Sequence, residues 1–180
     1  MLPALVRRRW DRRLSARFPP NPYVQRLVRA ARALGIAFEP SPLPEQWMYH
    51  PGRRAILVWG PDLSRQSISY LVAIMAHELG HALDFDQHAS RAAMLGRRHA
   101  SIHDMEMEQA ACVEGFLLIR RLRIPFSLRQ YLSMLEPPLS GRVQAELEAR
   151  LCCLLDRYGP AFARAAASGT LPGVALPPVA

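Results

Sequence analysis

Lysine is absent from this 180-residue chain, so its formal net charge of +8 rests on 23 arginines set against 15 acidic residues. With abundant alanine and 16 prolines, this reads as a compositional bias more than as a surface selected for one partner. Cysteine is nearly as scarce. Cys152 and Cys153 are adjacent and Cys112 stands alone, which excludes a disulfide framework and a Cys-x-x-Cys metal pattern. Half of the residues are hydrophobic, yet no stretch of about 18 is free of charge, so no membrane span is expected. A secretory leader is not expected either. Leu2 to Val6 is a short apolar run followed by Arg7-Arg8-Arg9, the reverse of a leader's order. Internal repeats and low-complexity tracts are also missing. The expectation is a cytoplasmic chain of one domain with a substantial core and a loosely attached end.

Against that background one pentapeptide stands out: His77-Glu78-Leu79-Gly80-His81. On a helix, residues four apart share a face one turn apart, so both imidazoles can reach a single metal ion. Glu78 sits beside the first histidine, where its carboxylate can take a proton from a water. The HExxH pattern is that of zinc-dependent hydrolases. With six histidines and 15 acidic residues, such a triplet arises by accident in about 1 in 60 chains of this composition. The surroundings argue against accident. Ile68 to Ala76 is apolar enough to be a helix buried on most sides. Two histidines and a glutamate on such a helix are costly without partners, and a zinc ion removes that cost. Gly80 costs roughly 1 kcal/mol against alanine in a helix interior, and its missing side chain would let another segment come close.

A hydrolytic zinc needs a third protein ligand and an open position. The second long helical stretch, Ser101 to about Arg121, is the expected source, with Ser101 and Asp104 as a capped start. Glu106 and Glu108 point about 200° apart around its axis, so they cannot both face the metal. Ala111 and Cys112, three and four positions after Glu108, give its face small residues suited to close packing. Glu108 is therefore the expected ligand and Glu106 the fallback. His88, His99 and His103 compete, although His99 lies in the basic loop Gly96-Arg97-Arg98-His99.

From Leu34 to Leu118 the chain resembles the ImmA/IrrE family of small zinc peptidases. Leu34-Gly35-Ile36 ends a helix, Ala55-Ile56-Leu57-Val58-Trp59 is a hydrophobic strand, and the HExxH helix follows. The family's Glu-Ala-Asn-x-Phe-Ala run corresponds to Glu108-Gln109-Ala110-Ala111-Cys112-Val113, with Phe116-Leu117-Leu118 behind it. The glutamate falls 27 residues after His81, a spacing usual for the family, while Ala110 and Cys112 replace its asparagine and phenylalanine. His77 to Asp84 is also similar to the HExxHxxD pattern of lethal-factor-like and MtfA-like metallopeptidases. There Asp84 would orient a ligating imidazole; otherwise it begins the polar end of the helix beside Asp86. Either resemblance implies a gluzincin, with Zn2+ held by His77, His81 and a glutamate and Glu78 as general base. The ImmA/IrrE resemblance further implies a regulatory protein as substrate, such as a DNA-binding repressor, and a role in a stress response.

The expected fold class is α+β: a small zincin-like metallopeptidase fold with a short three-stranded sheet packed on the HExxH helix and the glutamate helix. Residues 1–20 form a basic arm, 21–124 the core, 125–167 a C-terminal helical extension and 168–180 a disordered tail. Asn21-Pro22 opens a helix to about Leu34, stopped by Gly35. Strands follow over 36–39, 46–50 and 54–59, the last two paired as a hairpin through Pro51-Gly52. The resemblance sets Ala55 to Trp59 along the substrate cleft, where an exposed edge would take an extended peptide as an added strand. Ser127 begins a helix to about Leu135, Glu136-Pro137-Pro138 breaks it, and Ser140 opens another to Tyr158. Tyr49, His50, His99 and His103 are the candidate donors to a developing oxyanion. Arg7, Arg8, Arg9, Arg12, Arg13 and Arg17 form a block able to meet nucleic-acid phosphates or an acidic protein, or else a solvated helix face. The alternative to a peptidase is a zinc-binding regulatory or interaction module without proteolysis.

Overall fold

The computed structural model describes residues 4–91 and 105–150, with side chains from residue 10 onward. It is an α+β protein with a small mixed sheet, and the chain divides into two compact units, Met1–Val143 and Gln144–Ala180. Among the described residues of the second unit, 144–150 are helical, with Gln144–Glu148 and Arg150–Glu146 pairs across one turn.

Helix α1 (Ala4–Ser15) is followed by α2 (Pro22–Ala33). The expected N-terminus of α2 is present: Asn21 Oδ1 accepts from Tyr23 N and Val24 N, and Pro22 occupies a position where no amide is needed. Gly35 leaves the helix at φ 69°, a left-handed conformation that glycine adopts without a Cβ penalty. Strands β1 (Ala37–Pro40), β2 (Met48–His50) and β3 (Ala55–Val58) form a sheet in the order β1-β3-β2. The β2–β3 pair is the antiparallel hairpin that was expected, turned by a short 3-10 segment over Pro51–Arg53 that ends in a left-handed Arg54. β1 runs parallel to β3 on its other side.

That order corrects one expectation. Ala55–Val58 has no free edge, because it is hydrogen-bonded on both sides and buried throughout, as its unbroken apolar run suits. The outer strands are β1 and β2. The outward amide of β1, Phe38 N, donates to Asp11 Oδ1 of α1 at 3.0 Å. Residues 10–18, within the expected basic arm, thus lie on the sheet: Leu14 and Phe18 are buried, and the Phe18 ring sits 4.8 Å from that of Phe38. Arg12 and Arg13 face solvent, and Arg17 donates to Gly60 O.

After a one-turn helix α3 (Asp62–Arg65), Ser67 caps the long helix α4 (Ile68–Gln87) by accepting from Tyr70 N. α4 is buried on most of its circumference by α2, β2 and chiefly α5 (Met105–Arg121). The expected cap at Ser101 and Asp104 lies outside the described residues. Beyond α5, Ile124 and Phe126 are buried, Ser127 caps α6 (Leu128–Leu132), and Tyr131 is buried against Phe116 and Phe126. The compact unit thus includes 125–143, the start of the expected extension. Pro137 and Pro138 are not the expected break. Residues 137–143 are already helical, since prolines in a first turn give up amides that have no intrahelical partner. Cys152, Cys153, the remainder of the expected last helix and the tail lie outside the described residues. No described helix is long and apolar enough to cross a membrane.

Candidate metal centre

The crossing of α4 and α5 positions the site, and glycine decides how close they come. A Cβ on Gly80 would stand 1.9 Å from the carbonyl oxygen of Ala111 and 2.9 Å from Gly115 N. A Cβ on Gly115 would stand 2.6 Å from the carbonyl oxygen of Ala76. Each helix therefore presses its glycine onto the other's backbone, and no larger side chain fits at either point. Ala76-x-x-x-Gly80 and Ala111-x-x-x-Gly115 are the small-residue stripes that make this approach possible. Gly80, whose close-approach role the sequence only suggested, is one half of the contact.

One turn from that crossing, three side chains converge. His77 and His81 project from α4 with ring centroids 4.6 Å apart. Glu108, from the first turn of α5, places Oε2 3.2 Å from His77 Nε2 and Oε1 3.6 Å from His81 Nε2. One ligand atom from each of the three lies within 4.8 Å of the others. Donors about 2.1 Å from a tetrahedral zinc stand about 3.4 Å apart; the two His–Glu108 separations of 3.2 and 3.6 Å are close to this, and two imidazoles with a carboxylate are a donor set of the number and type zinc accepts. The fallback Glu106 is solvent-exposed, on the other face of α5. His88 is half exposed, its Nδ1 against the carbonyl and carboxylate of Asp84 at 3.1 Å, away from the cluster. His99 and His103 lie outside the described residues.

The partly exposed stripe of α4 runs Tyr70, Ile74, His77, His81, so the cluster opens toward solvent along one face of the helix while the rest of α4 is core. Glu78, the next residue after His77, is buried, its Oε2 accepting a hydrogen bond from Tyr49 N of β2. Burial raises the Glu78 carboxyl above its ordinary range and Glu108 adds to that, against the opposing pull of His77 and the Tyr49 amide. For His77, burial disfavours the charged ring, but hydrogen bonds to Cys112 and Glu108 and the charge of Glu78 outweigh it and hold the imidazole well above its usual pKa.

Two features of the site went unread in the sequence. Cys112 Sγ lies 3.4 Å from His77 Nδ1, on the side of the ring opposite Glu108. Helical spacing from Glu108 to Cys112 is the available signal, since it sets both on one face of α5. The second is the Tyr49 amide on Glu78, which depends on β2 being an outer strand. Of the candidate oxyanion donors, the Tyr49 ring is buried and packs on Phe85 at 6.0 Å. Asp84 is buried rather than at a polar helix end. Its Oδ1 accepts from Arg91 at 2.6 Å and meets His88. Asp86, beside it, is exposed and binds Arg54 through both oxygens.

No protein-family model matches the sequence, and neither a curated protein nor a solved structure was found to be similar to it.

Proposed function

We propose that this chain is a zinc-dependent endopeptidase, with His77, His81 and Glu108 as metal ligands and Glu78 as general base. The observation that carries the reading is the convergence of Glu108 on the two histidines from a separate helix, next to a buried glutamate that a purely structural zinc site would not need. Zinc bound there would supply Lewis acidity, polarising the scissile carbonyl and lowering the pKa of a water.

The chain's own residues do the rest. Glu78 accepts the proton of the attacking water and hands it to the departing amine. Its burial favours the protonated form it holds between those two transfers. The Tyr49 amide holds one carboxylate oxygen, so the proton is carried by the other. The partly exposed stripe of α4 gives the cluster one side from which a peptide can approach. By its resemblance to the ImmA/IrrE family, the substrate is a regulatory protein such as a DNA-bound repressor, and cleavage relieves repression under stress.

The test is zinc content and peptide hydrolysis of the purified protein and its variants. The parent binds one zinc per chain and cleaves. Glu78→Gln keeps the metal and loses hydrolysis, whereas His77→Ala loses both. A Glu78→Gln protein cleaving at the parent's rate refutes the assignment, as does a parent that takes up no zinc.

A further inference from the structure

We infer that Cys112 is a positioning residue for His77, holding the imidazole in the tautomer and orientation that turn Nε2 toward the metal. The inference rests on the zinc reading above and adds a role to a residue outside the ligand set. A ligating imidazole is neutral: the nitrogen facing the metal carries no proton, so the other must carry one and donate it somewhere. His77 Nε2 faces Glu108 Oε2 at 3.2 Å, and its Nδ1 faces Cys112 Sγ at 3.4 Å. The thiol sulfur is therefore the acceptor for the Nδ1 proton, within the range of an N–H to sulfur contact.

The arrangement has an economy particular to this helix. Glu108 and Cys112 are one turn apart on α5, so a single rigid element supplies the fellow ligand on one side of the His77 ring and its hydrogen-bond acceptor on the other. Cys112 is fully buried, and its own place is secured from a third element. Tyr131 of α6, 1% exposed, donates its hydroxyl to the Cys112 carbonyl at 3.1 Å. The close approach at Gly80 and Gly115 brings the sulfur within reach of the ring. A partner of this kind commonly carries 10- to 100-fold of the metal affinity, about the weight of orienting one ligand.

The test compares zinc dissociation constants, by competition with a chelator, for the full chain and for Cys112→Ala and Cys112→Ser. Alanine removes the acceptor. Serine keeps one of nearly the same size. The expected result is a 10- to 100-fold weaker zinc constant for Cys112→Ala, with Cys112→Ser within about threefold of the parent and both metal-free variants unfolding at the same urea concentration. Histidine 15N spectra of the zinc-loaded parent give a check that needs no variant: the proton of His77 sits on Nδ1. Cys112→Ala binding as tightly as the parent, Cys112→Ser as weak as Cys112→Ala, or a proton on His77 Nε2 overturns this inference while leaving the zinc site standing. A parent that binds no zinc overturns both.

Discussion

Replacing Gly80 by alanine sets two large effects against each other. Taken as a helix position alone, the change is favourable, since alanine exceeds glycine by about 1 kcal/mol in a helix interior. At the α4–α5 crossing the added methyl meets backbone. Its distance to the Ala111 carbonyl oxygen would be 1.9 Å, and relieving that to even 3.0 Å demands a displacement of about 1 Å between two helix backbones. A flexible side chain can swing away, but a hydrogen-bonded carbonyl in mid-helix cannot. Overpacking of this kind costs about 1–3 kcal/mol, and a backbone obstacle belongs at or above the upper end. The net expectation is destabilisation by about 2 kcal/mol, read by urea unfolding of the metal-free protein. A second consequence is coupled to the first. Ala111 is one turn after Glu108, so the displacement carries the Glu108 carboxylate away from His77 and His81, and zinc binding weakens as well. Gly141→Ala is the control: residue 141 is helical and a Cβ there meets nothing within 4 Å, so the same substitution should stabilise by about 0.5–1 kcal/mol. A Gly80→Ala protein at least as stable as the parent, with unchanged zinc affinity, would refute this account of the crossing.

Three further outcomes can be checked on the same protein. Glu108→Ala should lower zinc content sharply while Glu106→Ala leaves it at the parent's level, because Glu106 lies on the solvent side of α5; measured metal per chain decides. Tyr131→Phe removes a buried hydroxyl and leaves the Cys112 carbonyl without that donor, so urea unfolding should show a loss of about 1–2 kcal/mol. Asp86 has its pKa lowered by hydrogen bonding to Arg54, so the pair adds stability above the carboxyl's unfolded pKa and loses it as pH falls through the lower folded value. Both partners are more than one-third exposed, which limits the effect of Asp86→Asn to about 0.5 kcal/mol at neutral pH. That difference should vanish when unfolding is measured well below pH 4; one that persisted undiminished would place the effect in packing instead.

Much of the local structure was legible because it depends on residues close in the chain. The Asn21 and Ser127 caps, the stop at Gly35 and the β2–β3 hairpin all follow from side chains within a few positions of the backbone they satisfy. The pairing of His77 with His81 is of the same kind, since helical pitch alone puts them one turn apart. Glu108 over Glu106 was legible for a related reason. Two residues two apart on a helix face opposite ways, and the small residues Ala111 and Cys112 marked which way the partner helix lay.

What the sequence could not yield was the meeting of elements distant along it. The strand order β1-β3-β2, which makes β1 and β2 the outer strands, depends on which strand is buried on both sides. The Asp11 side chain on β1 and the Tyr49 amide on Glu78 are consequences of that order. The prolines at 137 and 138 misled because they break a helix only after its first turn. By itself the sequence determined that a helix bears two imidazoles on one face, with a glutamate beside them and another glutamate to come. Only the tertiary structure decided that this second glutamate, and a cysteine one turn on, reach the same histidine from its two sides. The reason is physical: helical periodicity is a property of each segment alone, whereas the separation and register of two helices are set where Gly80 and Gly115 let their backbones touch.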